Sequence, residues 1–220
     1  MIRCMLNFAV NRGYIDKNPL QGFKLLKESQ KREVNISPAQ IAQLIYKFPV
    51  SIENIVSFAV YSGIRKENIL SLKIDQVRFY DLKKGGEVNL FVKGGHWETK
   101  PLKLEAVDVL KKAIGARQEG YVFINPETTT RYDRNLITFD RVVRKLGLKT
   151  VAGEKLCFHD LRRIFSTWLI EGGVGIETVQ YFLGHRSIST TSRYTTMNRK
   201  VMGEKLALLP TIPRNKKGLD

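Results

Sequence analysis

The segment His159–Glu171, HDLRRIFSTWLIE, constrains the fold more than any other part of this chain. Leu161, Ile164, Phe165, Trp168 and Leu169 fall at i, i+3, i+4, i+7 and i+8, the period of an amphipathic helix with one wide apolar stripe. A stripe of that size has to be covered by other elements, so it predicts a helix buried in a core and stopped by Gly172-Gly173. A second face carries His159, Arg162, Arg163 and Ser166 at i, i+3, i+4 and i+7. An imidazole and a guanidinium three residues apart point the same way from a first helical turn, where the dipole also favours an anion. Arg offers a planar fork of donors and His can donate or accept a proton, so the face suits a phosphate. A solvated basic face with a capping histidine is the other reading that these residues alone leave open.

Helical periodicity and stop signals run through most of the remaining chain. Met5, Leu6, Ala9 and Val10 mark an opening helix that stops at Gly13, with a turn at Asn18-Pro19. Residues 24–34 are charged and aperiodic and read as a linker. Ser37, Pro38 and Gln40 then form a helix start with a capping box. A second helix follows over Ile52, Ile55, Val56 and Ala59, ending at Ser62-Gly63, and a short one over Lys66–Leu72. A β-rich stretch comes next: strands at 74–80 and Val88–Lys93, a Gly94-Gly95 turn, and a return strand ending near Pro101. Further helices are expected at 104–114, 133–146, 176–183 and 199–208, with a short buried strand at Tyr121–Ile124. The fold class is therefore mainly α with one small antiparallel β-sheet (α+β). The expected organisation is a short leading piece over 1–33, one large domain over 34–210, and a basic tail over 211–220.

Charge narrows the partners. Lys and Arg number 37 against 21 Asp and Glu, a net charge of +16, and the pI is near 9.9. A surplus of this size draws polyanions, nucleic acid first. No basic helix with a large apolar face favours a membrane surface, and no run approaches the roughly 18 apolar residues of a membrane span. Residues Met1–Tyr14 do not read as a secretory leader. Cys4 and Cys157 form no CxxC pair, and both read as free thiols in a reducing, cytoplasmic setting. Neither they nor His96, His159 and His185 have metal-ligand spacing, so no metal and no cofactor is expected.

Beyond the helix that opens at His159, Leu183-Gly184-His185 follows 23 residues after Arg162, and Tyr194 lies nine residues further in TSRYT. A phenol with pKa about 10 is a poor nucleophile unaided, but neighbouring cations stabilise phenolate and a nearby base can take its proton. The pattern HDLRR…LGH…Y resembles the carboxy-terminal signature of the tyrosine recombinases, the integrase family. SGIRKENILSL at 62–72 is similar to that family's first box, with Arg65 as its arginine. FVKGGHWETKPLKL is similar to its β-hairpin, with Lys93 in the place of the family's lysine; Lys100 is the second choice if the register differs. A solvated hairpin lysine is the plainer reading of Lys93. Many relatives carry a carboxylate three residues after the first Arg, where this chain has Asn68, and Glu67 would face elsewhere on the helix. Residues 1–33 resemble the end of the family's core-binding domain, which would make the chain a fragment or truncated variant.

The resemblance implies the tyrosine-recombinase catalytic-domain fold and a metal- and ATP-independent DNA strand transferase. Its site would consist of Arg65, Lys93, His159, Arg162, His185 and Tyr194, passing through a 3′-phosphotyrosyl intermediate during integration or excision of a mobile element. The alternatives are a catalytically inactive DNA-binding regulator with the same fold, and a type IB topoisomerase-like activity that relaxes strands. Double-stranded DNA is the implied partner. In the helix at 133–146, Leu136, Phe139, Val143 and Leu146 form a core stripe, while Arg134, Thr138, Arg141 and Lys145 line a basic face suited to a groove or its phosphates. Arg163 is a further candidate for DNA contact. The last helix, with Met202, Leu206 and Leu209, either packs on its own domain or docks on a neighbour. Relatives do the latter, which implies a homo-oligomer, a tetramer on DNA.

Overall fold

The computed structural model describes residues 2–23, 32–80, 85–92, 95–133, 136–184 and 199–213. It divides into two compact units, Met1–Arg32 and Glu33–Asp220. The first contains helix α1 (Ile2–Asn11), none of whose residues is buried. Asn18 ties the turn after it, accepting the Leu20 amide at 2.8 Å and donating to Asn7 at 2.5 Å. A unit this small buries too little apolar surface to make a core. The expected linker at 24–34 lies mostly outside the described residues.

The second unit is organised around α3 (Val50–Ser62), which is buried at every position from Asn54 to Ser62. A helix apolar on nearly all sides belongs in the centre of a domain, and α2 (Pro38–Tyr46), α5 (Leu104–Ile114) and α7 (Asp160–Glu171) pack against it or against each other's flanks. The start of α2 has the expected capping box: Ser37 Oγ accepts the Gln40 amide, and the Gln40 side chain accepts the Ser37 amide at 2.9 Å. Gly63 ends α3 in the left-handed region, at φ +62°, and the short helix α4 (Lys66–Leu70) follows. The interior stripe of α7 is as expected: Leu161, Ile164, Phe165, Trp168 and Leu169 are all buried. Trp168 also donates from Nε1 to the Ile36 carbonyl at 3.1 Å, which fastens α7 to the segment that leads into α2.

The sheet has three antiparallel strands in the order β1 (Val77–Phe79), β2 (Gly86–Val92), β3 (His96–Leu102). In its register Val88 faces Lys100, Leu90 faces Glu98, and Val92 faces His96. Of the expected strands, one is shorter than predicted and one does not form. Residues 74–76 form a 3₁₀ turn, so the strand expected at 74–80 begins only at Val77. Tyr121–Ile124 makes single bridges to Lys73 and Arg131 and is no strand, although Val122 and Phe123 are buried as foreseen. Apolar burial identified the segment as interior, but among the described residues its neighbour at 72–74 is itself no strand and offers only isolated bonds.

The helix expected at 133–146 is α6 (Ile137–Leu146), with Leu136, Phe139 and Val143 buried and Leu146 partly so. Helix α8 (Ile176–Phe182) leads to Gly184 in the left-handed region. The last helix, α9 (Arg199–Ala207), packs against β3 of its own domain, and Met202, Leu206, Leu209 and Ile212 are buried. Lys103 donates to the Leu209 carbonyl at 2.6 Å and Tyr61 accepts the Ile212 amide at 3.1 Å. The expected basic tail thus starts in packed chain at 211–213; the rest of it lies outside the described residues. Among the described residues no helix is long and apolar enough to cross a membrane.

Candidate active site

Four cationic or ionisable side chains converge where the end of α3, the start of α7, strand β3 and the end of α8 meet. Arg65 is the residue that caps α4, half-buried, two positions after the Gly63 stop. Arg162 comes from the first turn of α7, Lys100 from β3, and His159 from the cap position of α7. Each alters the charge equilibrium of others: Arg65 and Arg162 both bear on Lys100, and Arg65, Arg162 and Arg163 all bear on His159.

Arg162 decides between the two readings of its helix face in one respect. It does not lie on a solvated face with Arg163 but is only 8% exposed, while Arg163 is exposed. The physical reason is that α7 packs against both α3 and α8, which widens its buried arc beyond the apolar stripe. A buried guanidinium needs acceptors. Arg162 finds two main-chain carbonyls, Gly63 O at 2.6 Å and Leu183 O. Both acceptors are neutral, so its charge is uncompensated by a direct carboxylate partner in these bonds. Burial, and then the neighbouring Arg65, push its pKa down to about 10, with Glu98 opposing.

His159 stands at the helix start with no side-chain capping bond; that role belongs to Asp160, a fully buried carboxylate that accepts the Cys157 amide at 2.8 Å. Asp160 also pairs with Arg163 at 3.4 Å. Partial burial, then Arg162 and Arg163, hold the His159 imidazole below its ordinary range. It is therefore the neutral, proton-accepting form at neutral pH. Burial, then Asp160, push the Cys157 thiol above its usual range, which leaves it a weak nucleophile.

Lys100 is the second-choice lysine of the hairpin, and it is the one found beside the arginines; Lys93 lies outside the described residues. Its ammonium pairs with Glu98 at 3.0 Å and donates to the Tyr181 carbonyl at 3.2 Å. Burial lowers its pKa, the bond to and attraction of Glu98 counter that, and Arg162 and Arg65 lower it further. The sequence of β3 carries a signal for this placement. Strand parity puts His96, Glu98, Lys100 and Leu102 on the same, inward face of β3. Three ionisable residues on the covered side of a strand are costly unless paired, so the pattern itself marks a polar site. Asn68 is half-buried on α4, and Glu67 sits 3.7 Å from Arg131, turned to a different neighbour.

His185 and Tyr194 lie outside the described residues, as does Arg134. The described cluster ends at Gly184, the residue before His185. On α6, Arg141 and Lys145 are exposed, beside Arg144. What the cluster can do chemically is bind a phosphate with fixed guanidinium and ammonium donors and accept a proton at His159.

Comparison with known proteins agrees with this chemistry. The family model described as "Phage integrase family" matches residues 25–200. The integrase of Salmonella phage P22 is 30% identical over 191 residues, covering 82% of this chain and 47% of that protein. The tyrosine recombinase XerA of Pyrococcus furiosus is 28% identical over 190 residues, covering 86% of this chain and 63% of the relative. The chain thus spans about half to two thirds of the length of these curated relatives. Among solved structures, a lambda integrase dimer bound to a COC′ core site superposes with a TM-score of 0.63 at 20% identity, covering 84% of this chain and 69% of that one. The integrase from mycobacterium phage Brujita gives 0.61 at 19% identity over 95% of this chain and 69% of that one. At these identities the superpositions establish the fold.

Proposed function

The chain belongs to the phage integrase family, and from that premise we propose that it is a site-specific DNA recombinase that cuts and rejoins strands through a phosphotyrosine at Tyr194. The observation that carries the proposal is the convergence of Arg65, Lys100, His159 and Arg162 on one spot beside Gly184.

In this reading Arg65 and Arg162 hold the two non-bridging oxygens of the scissile phosphate and neutralise the charge that builds in the transition state. Arg162 is well suited, since its two carbonyl bonds fix the plane of the guanidinium before DNA arrives. The Tyr194 oxygen attacks phosphorus, His159 takes the phenolic proton, and the bond from phosphorus to the 5′ oxygen breaks. A lysine, Lys93 or Lys100, protonates the departing oxygen, and His185 donates a further hydrogen bond to the phosphate. The phosphotyrosine conserves the energy of the broken diester, so a 5′-hydroxyl from another strand reverses the step without ATP. Fixed cations perform the charge neutralisation that a metal ion performs in other phosphoryl transferases.

Double-stranded DNA is the proposed partner, contacted through Arg134, Arg141 and Lys145 around α6 and through Arg163. Exposure of Arg141 and Lys145 on the side of α6 away from Phe139 and Val143 supports this. Assembly on DNA as a homo-oligomer is proposed by analogy with lambda integrase, solved as a dimer on a core site and as a tetramer on a Holliday junction. For the C-terminal segment to join neighbours, the contacts of Met202, Leu206 and Leu209 with their own domain must first open. The test is to incubate the chain in EDTA with a library of nicked suicide duplexes carrying randomised half-sites. An SDS-resistant adduct that maps to Tyr194 and vanishes in Tyr194→Phe is expected. No adduct from any library member, or adduct only with Mg²⁺, overturns the proposal.

A further inference from the structure

Glu98 has no counterpart in the roles assigned above, yet it occupies the middle of the cluster. Its Oε1 lies 3.0 Å from His96 Nε2 and its Oε2 3.0 Å from Lys100 Nζ. All three side chains leave the same inward face of β3, and Glu98 and Lys100 are each well covered. The pair also forms the seat of the turn that ends α8. A Cβ placed on Gly184 would stand 2.7 Å from Glu98 Oε2 and 2.9 Å from Lys100 Nζ, and Gly184 has a φ of +64°. A Cβ there would push on the charged ends of both side chains, so the backbone just before His185 rests directly on the Glu98–Lys100 pair.

We infer that Glu98 is a positioning residue: it holds the Lys100 ammonium, charged, between the two arginines and the Leu183-Gly184 turn. This rests on the recombinase reading of the cluster.

The charge balance around the lysine explains why a carboxylate is needed. Facing it are Glu98 and His96 from β3, Tyr181 from α8, Arg162 from α7, and Arg65 from the α3–α4 junction. Burial and two guanidiniums act to strip its proton, and Glu98 is the group that acts to keep it. Burial disfavours the ionised form of Glu98 as well, but the bonds from His96 and Lys100 and the attraction of the Lys100 ammonium outweigh it and hold the carboxyl below its usual range. Glu98 also supports the charged state of Arg162. It thus supplies, from β3, a negative charge at the cluster of a chain that carries Asn68 after its first arginine.

The sign of the effect is definite. Removing the carboxylate charge lowers the pKa of Lys100, so the ammonium is lost at lower pH. Two measurements test this on the whole chain. The first follows the ¹⁵N resonance of the Lys100 side chain against pH, in wild type, Glu98→Gln and Glu98→Asp, without DNA. A midpoint lower by about one unit in Glu98→Gln, a tenfold change in the protonation equilibrium, and restored in Glu98→Asp, is expected. The second measures the pH dependence of adduct formation on the nicked-duplex library. The alkaline limb is expected to move down by about the same amount in Glu98→Gln, and the effect of Glu98→Gln is expected to vanish in a Lys100→Met background. An unmoved Lys100 midpoint in Glu98→Gln, or a full effect of Glu98→Gln in the absence of Lys100, overturns the inference. If wild type forms no adduct while the Lys100 midpoint shifts as expected, the recombinase reading fails and the electrostatic role of Glu98 stands.

Discussion

Replacing Gly63 by Ala should damage the fold and the cluster together, and the structure says by how much. Gly63 sits at φ +62°, a conformation that costs a residue with a Cβ about 1–2 kcal/mol. The new Cβ would also meet the Phe165 ring, 2.8 Å from Cγ and Cε1 and closer still to Cδ1. Phe165 is fully buried between α3 and α8, so the ring cannot swing away freely, and such overpacking costs about 1–3 kcal/mol more. The sum is about 2–5 kcal/mol, a fall in Tm of roughly 5–15 °C for a domain of this size. Gly147 provides the control, since its φ is +64° but a Cβ there meets nothing. Gly147→Ala should therefore lose only the backbone part, about 1–2 kcal/mol. Thermal unfolding of both variants by circular dichroism separates the two contributions. Adduct formation well below either Tm should also fall in Gly63→Ala alone, because the Gly63 carbonyl accepts the Arg162 guanidinium. Equal Tm losses in the two variants would refute the packing argument, and an unchanged adduct rate in Gly63→Ala would refute the coupling to Arg162.

Three further outcomes are expected. His159 has its pKa held below the ordinary value of about 6.5, and the base must be neutral to act, so the acid limb of adduct formation should lie below that value and disappear in His159→Gln; a limb above it refutes the assignment. Arg141→Ala and Lys145→Ala should each weaken DNA binding by similar factors on all sequences and reduce the slope of log K against log salt by about one unit, as measured by fluorescence anisotropy; an unchanged slope removes α6 from the interface. Inorganic phosphate should raise Tm above its value in chloride at equal ionic strength, by linkage about 2.7 kcal/mol at a hundredfold excess over Kd, and Arg65→Gln should abolish the difference between the two salts. A difference preserved in that variant would mean a general solvent effect rather than a site.

The fold was legible wherever local signals agreed. Periodicity and capping placed α2, α3, α5 and α7 within a few residues, because each has a stripe, a start signal or a glycine stop that acts through nearest neighbours in sequence. The failures share a cause. Residues 74–80 and 121–124 have apolar content that suits a strand, but how much of a strand forms depends on a partner alongside, which is a property of the assembled sheet. The burial of Arg162 was not legible for a similar reason. Its spacing from His159 revealed the motif, while its burial depends on α8 closing over the second side of α7.

Lys93 and Lys100 show two ways of reading one hairpin, Lys93 lying outside the described residues. Matching the hairpin by its glycines favours Lys93. Reading β3 by its two-residue alternation instead finds three ionisable groups on the covered face, and a covered charge has to be accounted for by a partner or a ligand. The partner of Lys100 is Glu98, and the ends of both side chains lie within 3 Å of where a Cβ on Gly184 would stand. The glycine of LGH is then not merely a helix stop. It is required because the chain passes so close to an ion pair that a methyl group would displace it, and this ties the hairpin, the start of α7 and the end of α8 into one unit. A cluster assembled from four distant segments cannot form piecemeal, since Arg162 needs carbonyls from both α3 and α8 before its burial is tolerable. Its cations are therefore held in place by the fold rather than by the phosphate they are suited to bind, and in the proposed reaction that preorganisation is what lets fixed side chains stand in for a metal ion.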